Sequence, residues 1–178
     1  DPGFEAGAGH VRLAVDFTDF DRECEKYLDG LGFQTFRLPI RYMPSKGGLG
    51  QVGPYRGGTP EYERIMGEYL HTIQEHLREK GWLDEAFTYW IDEPAPEHYE
   101  NVRYGNDLIH RYAPDLRRML TEQPEEELFG HVDIWCPVLH NYVPEVCQAR
   151  QAAGDTIWWY VCCGPKAPWA GLFIDCLL

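Results

Sequence analysis

The stretch AFTYWIDEP, residues 86–94, decides how the chain is read. Ala86 to Ile91 are apolar, aromatic or β-branched and read as a buried strand, which then runs straight into Asp92, Glu93 and a strand-ending Pro94. On its N-terminal side, residues 60–80 carry a helical period, entered through Thr59 as N-cap and Pro60 at the first helical position. Ile65, Tyr69, Ile73 and Leu77 recur on one face of that segment, while Glu63, Glu68, Glu75 and Glu79 occupy the other. On the C-terminal side a helix is predicted over 96–112, started by Pro96 and stopped by Ala113-Pro114. A strand between two amphipathic helices is the unit of a parallel α/β sheet. Further strands are expected at 11–16, 33–40, 116–121, 131–136 and 156–162. Helices are expected at 19–30, with Gly30 as C-cap, and at 142–153, ending near Gly154.

Six strands in 178 residues fall short of a complete eight-fold βα barrel, which usually takes roughly 200 or more. The expectation is therefore a single α/β domain over 1–178, a (β/α) barrel cut at both ends. No internal repeat, low-complexity tract or linker divides it. The glycine-rich segment SKGGLGQVGPYRGG (45–58) follows a strand and is read either as a substrate lid or as an insertion without a role. Its glycines match no phosphate-binding fingerprint.

Composition narrows the function. A net charge of −13 argues against a nucleic-acid backbone as partner and suits a neutral sugar better than a sulfated one. No run of apolar residues is long enough to be a membrane span, and no signal-peptide pattern opens the sequence. The six cysteines form no C-x-x-C, and the spacing of His71 and His76 does not match a metal-binding helix, so neither metal nor cofactor is expected and these histidines read as surface residues. The vicinal pair Cys162-Cys163 is read as a redox pair or, better for strand-embedded cysteines, as buried packing. No G-x-S-x-G elbow marks a serine hydrolase.

The remaining signals converge on strand ends, where a βα barrel carries its catalytic groups. Asp92 and Glu93 stand at the end of 86–91, and neighbouring residues of an extended chain point to opposite sides, so the two acids can do different work. Thr121 and Glu122 close 116–121; Asp133 and Trp135 lie within HVDIWC; His140, Asn141 and Tyr142 follow; Trp158, Trp159 and Tyr160 lie on the last strand. Alternation places Trp158 and Tyr160 on one side and Trp159 on the other. Aromatic faces beside carboxylates suit a sugar ring, as does the abundance of six Trp, eleven Tyr and eight Phe, although core packing draws on the same residues.

At YWIDEP (89–94) the sequence resembles the catalytic domain of glycoside hydrolase family 123 and its relatives. The likeness extends through DFTDFD (16–21), YLDGLGF (27–33), HLREKGW (76–82), RMLTEQP (118–124), VDIWCP (132–137), WWYVC (158–162), PKAP (165–168) and LFID (172–175). The resemblance implies a TIM-like (β/α)8 barrel whose first strand lies before Val11 and whose eighth lies beyond Leu178. It also implies a retaining, substrate-assisted β-N-acetylgalactosaminidase, an exception to the two-carboxylate scheme. Asp92 would then orient the 2-acetamido group and Glu93 would act as general acid and base. Tyr89, Glu122, Asp133, Trp135, His140, Tyr142, Trp158 and Tyr160 are the expected glycan-binding residues. The resemblance is compatible with a secreted or extracytoplasmic setting. Two other readings stay open: a two-carboxylate glycosidase using Glu93 with Glu122, for which Asp133 can substitute, and a non-catalytic carbohydrate-binding or structural barrel.

Overall fold

The computed structural model describes residues 2–7 and 10–162. Five parallel strands form the central sheet: β3 (Phe36–Leu38), β6 (Ala86–Thr88), β7 (Arg117–Leu120), β8 (Ile134–Trp135) and β9 (Thr156–Ile157), in that spatial order. Neighbours in space are thus neighbours in this series, each pair parallel, with β3 and β9 at the edges among the described residues. Such a succession needs crossovers. The helix α2 (Pro60–Lys80) joins β3 to β6, α3 (Tyr99–Tyr112) joins β6 to β7, and α4 (Pro144–Ala152) joins β8 to β9. Only a short 3₁₀ turn at Glu126–Leu128 intervenes between β7 and β8. The fold is α/β, as the alternation predicts.

One expected strand falls elsewhere. β2 (His10–Val15) pairs antiparallel with β1 (Pro2–Gly7) in a separate hairpin, so five of the six expected strands join the parallel sheet. Apolar–polar alternation is the same in a hairpin and in a half-buried parallel strand, so the pattern could not distinguish them. The first helix also ends later than Gly30 suggests. α1 (Thr18–Cys24) runs on through a wider turn at Glu25–Gly30, and Gly32, at φ +71°, takes the left-handed position.

α2 matches its pattern closely. Thr59 caps it by accepting from the Tyr62 N–H, and Gly81 ends it in the left-handed conformation. Glu61 and Glu63 in the first turn, with Arg78 and Lys80 in the last, complement the helix dipole. Its buried face, which includes Tyr62, Ile65, Met66, Leu70 and Leu77, packs with Leu38 and Ala86 of the sheet. His76 departs from the surface reading: its ring stacks on Phe17 at 3.7 Å and its Nε2 sits 2.6 Å from Asp21. At the next layer, Gly105 of α3 lies against the Trp90 indole so closely that a Cβ would come within 2.4 Å of the ring. That contact lets Asn106 accept a 2.9 Å hydrogen bond from the Trp90 N–H.

Segment 45–58 is pinned along its length. It contains a small hairpin of β4 (Gln51–Val52) and β5 (Tyr55–Arg56). Ser45 accepts from Asn101 on α3 at 2.8 Å, and the Gly58 N–H donates to Tyr104 at 2.8 Å. Gly57 packs on the Leu49 carbonyl where no side chain fits.

Alternation divides the sheet into two faces. Leu120 and Trp135 turn toward the helices with Ile91, Tyr99, Val102 and Leu128. Met119, Ile134 and Cys136 turn the other way, with Phe87, Tyr89, Trp158 and Tyr160 packed on them. Among the described residues no helix is long and apolar enough to cross a membrane.

Candidate active site

The inner face and the C-terminal strand ends meet at the YWIDEP segment. Tyr89 continues the inner face of β6, and the chain then leaves the strand at Asp92 and Glu93, both exposed. Glu93 has φ +41°, a left-handed conformation that costs a non-glycine residue about 1–3 kcal/mol and persists only where its surroundings impose it. The neighbouring strand supplies the restraint. Thr121, the residue after β7, accepts the Glu93 main-chain N–H at 2.8 Å.

Both carboxylates are held on one side only. The Tyr89 hydroxyl donates to Asp92 Oδ1, and the Thr121 hydroxyl donates to the same oxygen at 3.0 Å. Asp92 Oδ2 has no partner among the described residues. Glu93 Oε1 accepts from the Tyr160 hydroxyl, which leaves Glu93 Oε2 in the same condition. Burial and the bond to Asp92 push the Tyr89 phenol up to about 12, and burial together with Glu93 raises that of Tyr160. Both therefore remain proton donors at neutral pH. On β3, Arg37 braces the same wall: its Nε donates to the Tyr89 carbonyl at 3.0 Å, and its guanidinium lies 5.5 Å over the Tyr89 ring.

A cleft of about 330 Å³ opens beside Glu93, lined by Thr121, Glu122, Gln123, Val138, His140, Asn141, Tyr160 and Cys162. Glu122 is half-buried there and accepts from the Gln123 N–H at 3.1 Å. Desolvation raises its carboxyl above the usual range, against that hydrogen bond and with help from the charges of Glu125 and Glu93. Cys162 is exposed, contrary to the packing role read for it. Cys163, PKAP and LFID lie outside the described residues.

The structure thus brings Asp92, Glu93, Tyr89, Glu122, His140 and Tyr160 to one rim, with Trp158 on the inner face beneath, edge-on to Phe87 at 5.1 Å. Three expected residues lie elsewhere. Asp133 precedes β8 and so sits at the opposite end of the sheet, where it binds the buried Arg118 through Nε and Nη2, both at 2.7 Å. Trp135 is fully buried on the helix side, packs edge-on to Phe129 and donates to Asp155 at 2.7 Å. Tyr142 hydrogen-bonds the Cys147 thiol of α4. Asp133→Ala is accordingly expected to cost about 2–4 kcal/mol of stability by stranding a buried guanidinium. Chemical denaturation measures that loss, and the folded fraction should keep the arrangement of Asp92 and Glu93.

Arg37 and Gln123 are site neighbours that the sequence does not single out, while Thr121, placed by the sequence at the strand-end rim, is given no role there. Arg37 had a signal, a lone charge between the apolar Phe36 and Leu38. Among the described residues no group of three or more His, Cys, Asp or Glu stands where it could hold a metal ion.

Residues 12–176 match the family described as glycoside hydrolase 123, catalytic domain. The chain belongs to that family. Its fold is similar to that of a solved family 123 glycoside hydrolase from Clostridium perfringens, described in a study of glycolipid glycan hydrolysis, with a TM-score of 0.62 at 15% identity. The alignment covers 94% of this chain and 33% of the other, so the chain spans about a third of that protein's length. A comparison with curated proteins finds no match.

Proposed function

We propose that the protein is a glycoside hydrolase that releases terminal β-linked N-acetylhexosamine, N-acetyl-β-galactosamine foremost, by a retaining, substrate-assisted mechanism. The observation that carries this reading is the one-sided clamping of Asp92. With Oδ1 occupied by two hydroxyl donors, Oδ2 remains to accept a substrate N–H, and an ionised carboxylate has no proton of its own to offer.

In this scheme the acetamido N–H of the bound sugar donates to Asp92 Oδ2, which concentrates electron density on the acetamido carbonyl oxygen. That oxygen attacks the anomeric carbon as the glycosidic bond breaks, and Glu93 gives its proton to the departing oxygen. The resulting oxazolinium ion is stabilised by the Asp92 charge. Glu93, now a carboxylate, takes a proton from water as the water oxygen attacks the same carbon and the ring reopens. Two inversions give net retention. Tyr160 holds one oxygen of Glu93 throughout and keeps the other directed at the reacting bond. The parallel arc of strands is read as part of a TIM-like barrel, a reading supported by its sequential strand order and by the acids at strand C-terminal ends.

The test is hydrolysis of two aryl glycosides, an N-acetyl-β-galactosaminide and the β-galactoside that lacks the acetamido group. Turnover of the first alone is expected, since the second has no internal nucleophile. A second reading draws on Glu122, which shares the cleft with Glu93 and has its carboxyl raised by burial, as an acid in a two-carboxylate mechanism requires. Equal hydrolysis of both glycosides favours it. Saturable sugar binding with no turnover of either points to a carbohydrate-binding barrel.

A further inference from the structure

We propose that Thr121 is the positioning residue that sets both acids of the site through a single hydroxyl group; the proposal rests on the substrate-assisted reading above. A threonine hydroxyl has one proton and two lone pairs. The Asp92 carboxylate can only accept, so the proton of Thr121 goes to Asp92 Oδ1 at 3.0 Å. A lone pair receives the Glu93 main-chain N–H at 2.8 Å. The contact at 3.2 Å between Thr121 Oγ1 and the Tyr89 hydroxyl then carries no hydrogen bond of its own, because the Tyr89 proton is already committed to Asp92. One oxygen atom from a neighbouring strand therefore fixes the side chain of the first acid and the main chain of the second.

The consequence lies in the Glu93 conformation. At φ +41° the residue gains nothing from its own backbone preference; the N–H bond to Thr121 restrains its main chain, and the Tyr160 hydroxyl holds only its side chain. Alternation from Met119 inward and Leu120 outward brings Thr121 back to the inner side, and its β-branch limits the rotamers available to the hydroxyl. Without that oxygen, Asp92 keeps the Tyr89 bond alone, and Glu93 keeps its side-chain bond to Tyr160 but loses the hydrogen bond on its main chain, so the turn can relax. Both carboxylates then shift relative to the reacting carbon, and a displacement of about 1 Å is enough to cost roughly 100-fold in rate. Thr121 touches no reacting atom in this account; it acts through Asp92 and Glu93.

The experiment compares Thr121→Val, Thr121→Ala and Thr121→Ser in the intact protein. For an aryl N-acetyl-β-galactosaminide, kcat is expected to fall about 100-fold in the valine and alanine variants, with KM changed by no more than a few-fold. Serine, which restores the hydroxyl, is expected to stay within about fivefold of the parent. Affinity for the thiazoline analogue of the same sugar, a mimic of the cyclised intermediate, should fall in step with kcat. Backbone amide exchange at Glu93, read by NMR, should be about tenfold faster in the valine and alanine variants and unchanged in serine.

Folded valine or alanine variants with near-parental kcat overturn the inference. So does a serine variant as impaired as alanine, which would assign the role to the methyl group and its packing. Should valine fail to fold, the alanine and serine pair decides the matter. Failure of the parent protein to hydrolyse acetamido glycosides counts against the functional reading instead, while unchanged Glu93 exchange across all variants counts against the role of Thr121 whatever the activity.

Discussion

Asp92→Asn is expected to lower kcat/KM for N-acetyl-β-galactosaminides by about 1,000-fold or more, corresponding to roughly 4 kcal/mol of transition-state stabilisation. Loss of charge is part of the reason, and geometry adds to it. The Tyr89 and Thr121 hydroxyls both present protons to Oδ1, so the new amide must turn its carbonyl oxygen toward them. Its NH2 group then faces the substrate N–H, donor against donor. The defect should be the same for good and poor leaving groups, because the orientation of the internal nucleophile does not depend on what departs. Steady-state kinetics on a series of aryl glycosides checks this, and an unimpaired Asp92→Asn enzyme would sink the mechanism.

Glu93→Gln is expected to give the other large effect, with a different signature. General acid–base assistance is worth about 100- to 10,000-fold, and the full loss should appear with alkyl or sugar leaving groups. A nitrophenyl leaving group needs little protonation, so the bond-breaking step survives and the missing base limits the second step. Azide, a nucleophile that needs no deprotonation, should therefore restore turnover of the activated substrate by forming the glycosyl azide. Equal impairment across leaving groups, without rescue, would argue that Glu93 serves only to hold the site together.

Much of the α/β fold is legible in the sequence because the signals are local. Thr59-Pro60 opens α2, and its apolar stripe marks the buried face. The acids at 92 and 93 announce themselves because an apolar strand ends in charge. What stayed hidden needed information from elsewhere in the chain. In HVDIWC one alternating set is Val132, Ile134 and Cys136 and the other His131, Asp133 and Trp135; a strand of a parallel sheet is packed on both sides, so nothing local says which set faces inward. Ile134 and Cys136 take the inner face, which sends Asp133 and Trp135 to the helices. Asp133 was further obscured by the strand direction: it lies where β8 begins, and its partner Arg118 comes from another strand. Thr121 has the opposite difficulty. Its place at a strand end is plain, but its work depends on two residues almost thirty positions earlier, brought into contact only by the pairing of β6 with β7.

The left-handed turn at Glu93 sets foldedness against chemistry at one position. Glycine or asparagine suits that backbone better than glutamate does, so a substitution that eases the turn also removes the proton that Glu93 supplies in the proposed mechanism. Selection for a robust chain alone would discard glutamate there; in the proposed mechanism, selection for turnover is what keeps it. On that mechanism the identity of residue 93 in any descendant of this sequence records whether the site is still in use, and a passive scaffold has an energetic reason to lose the glutamate.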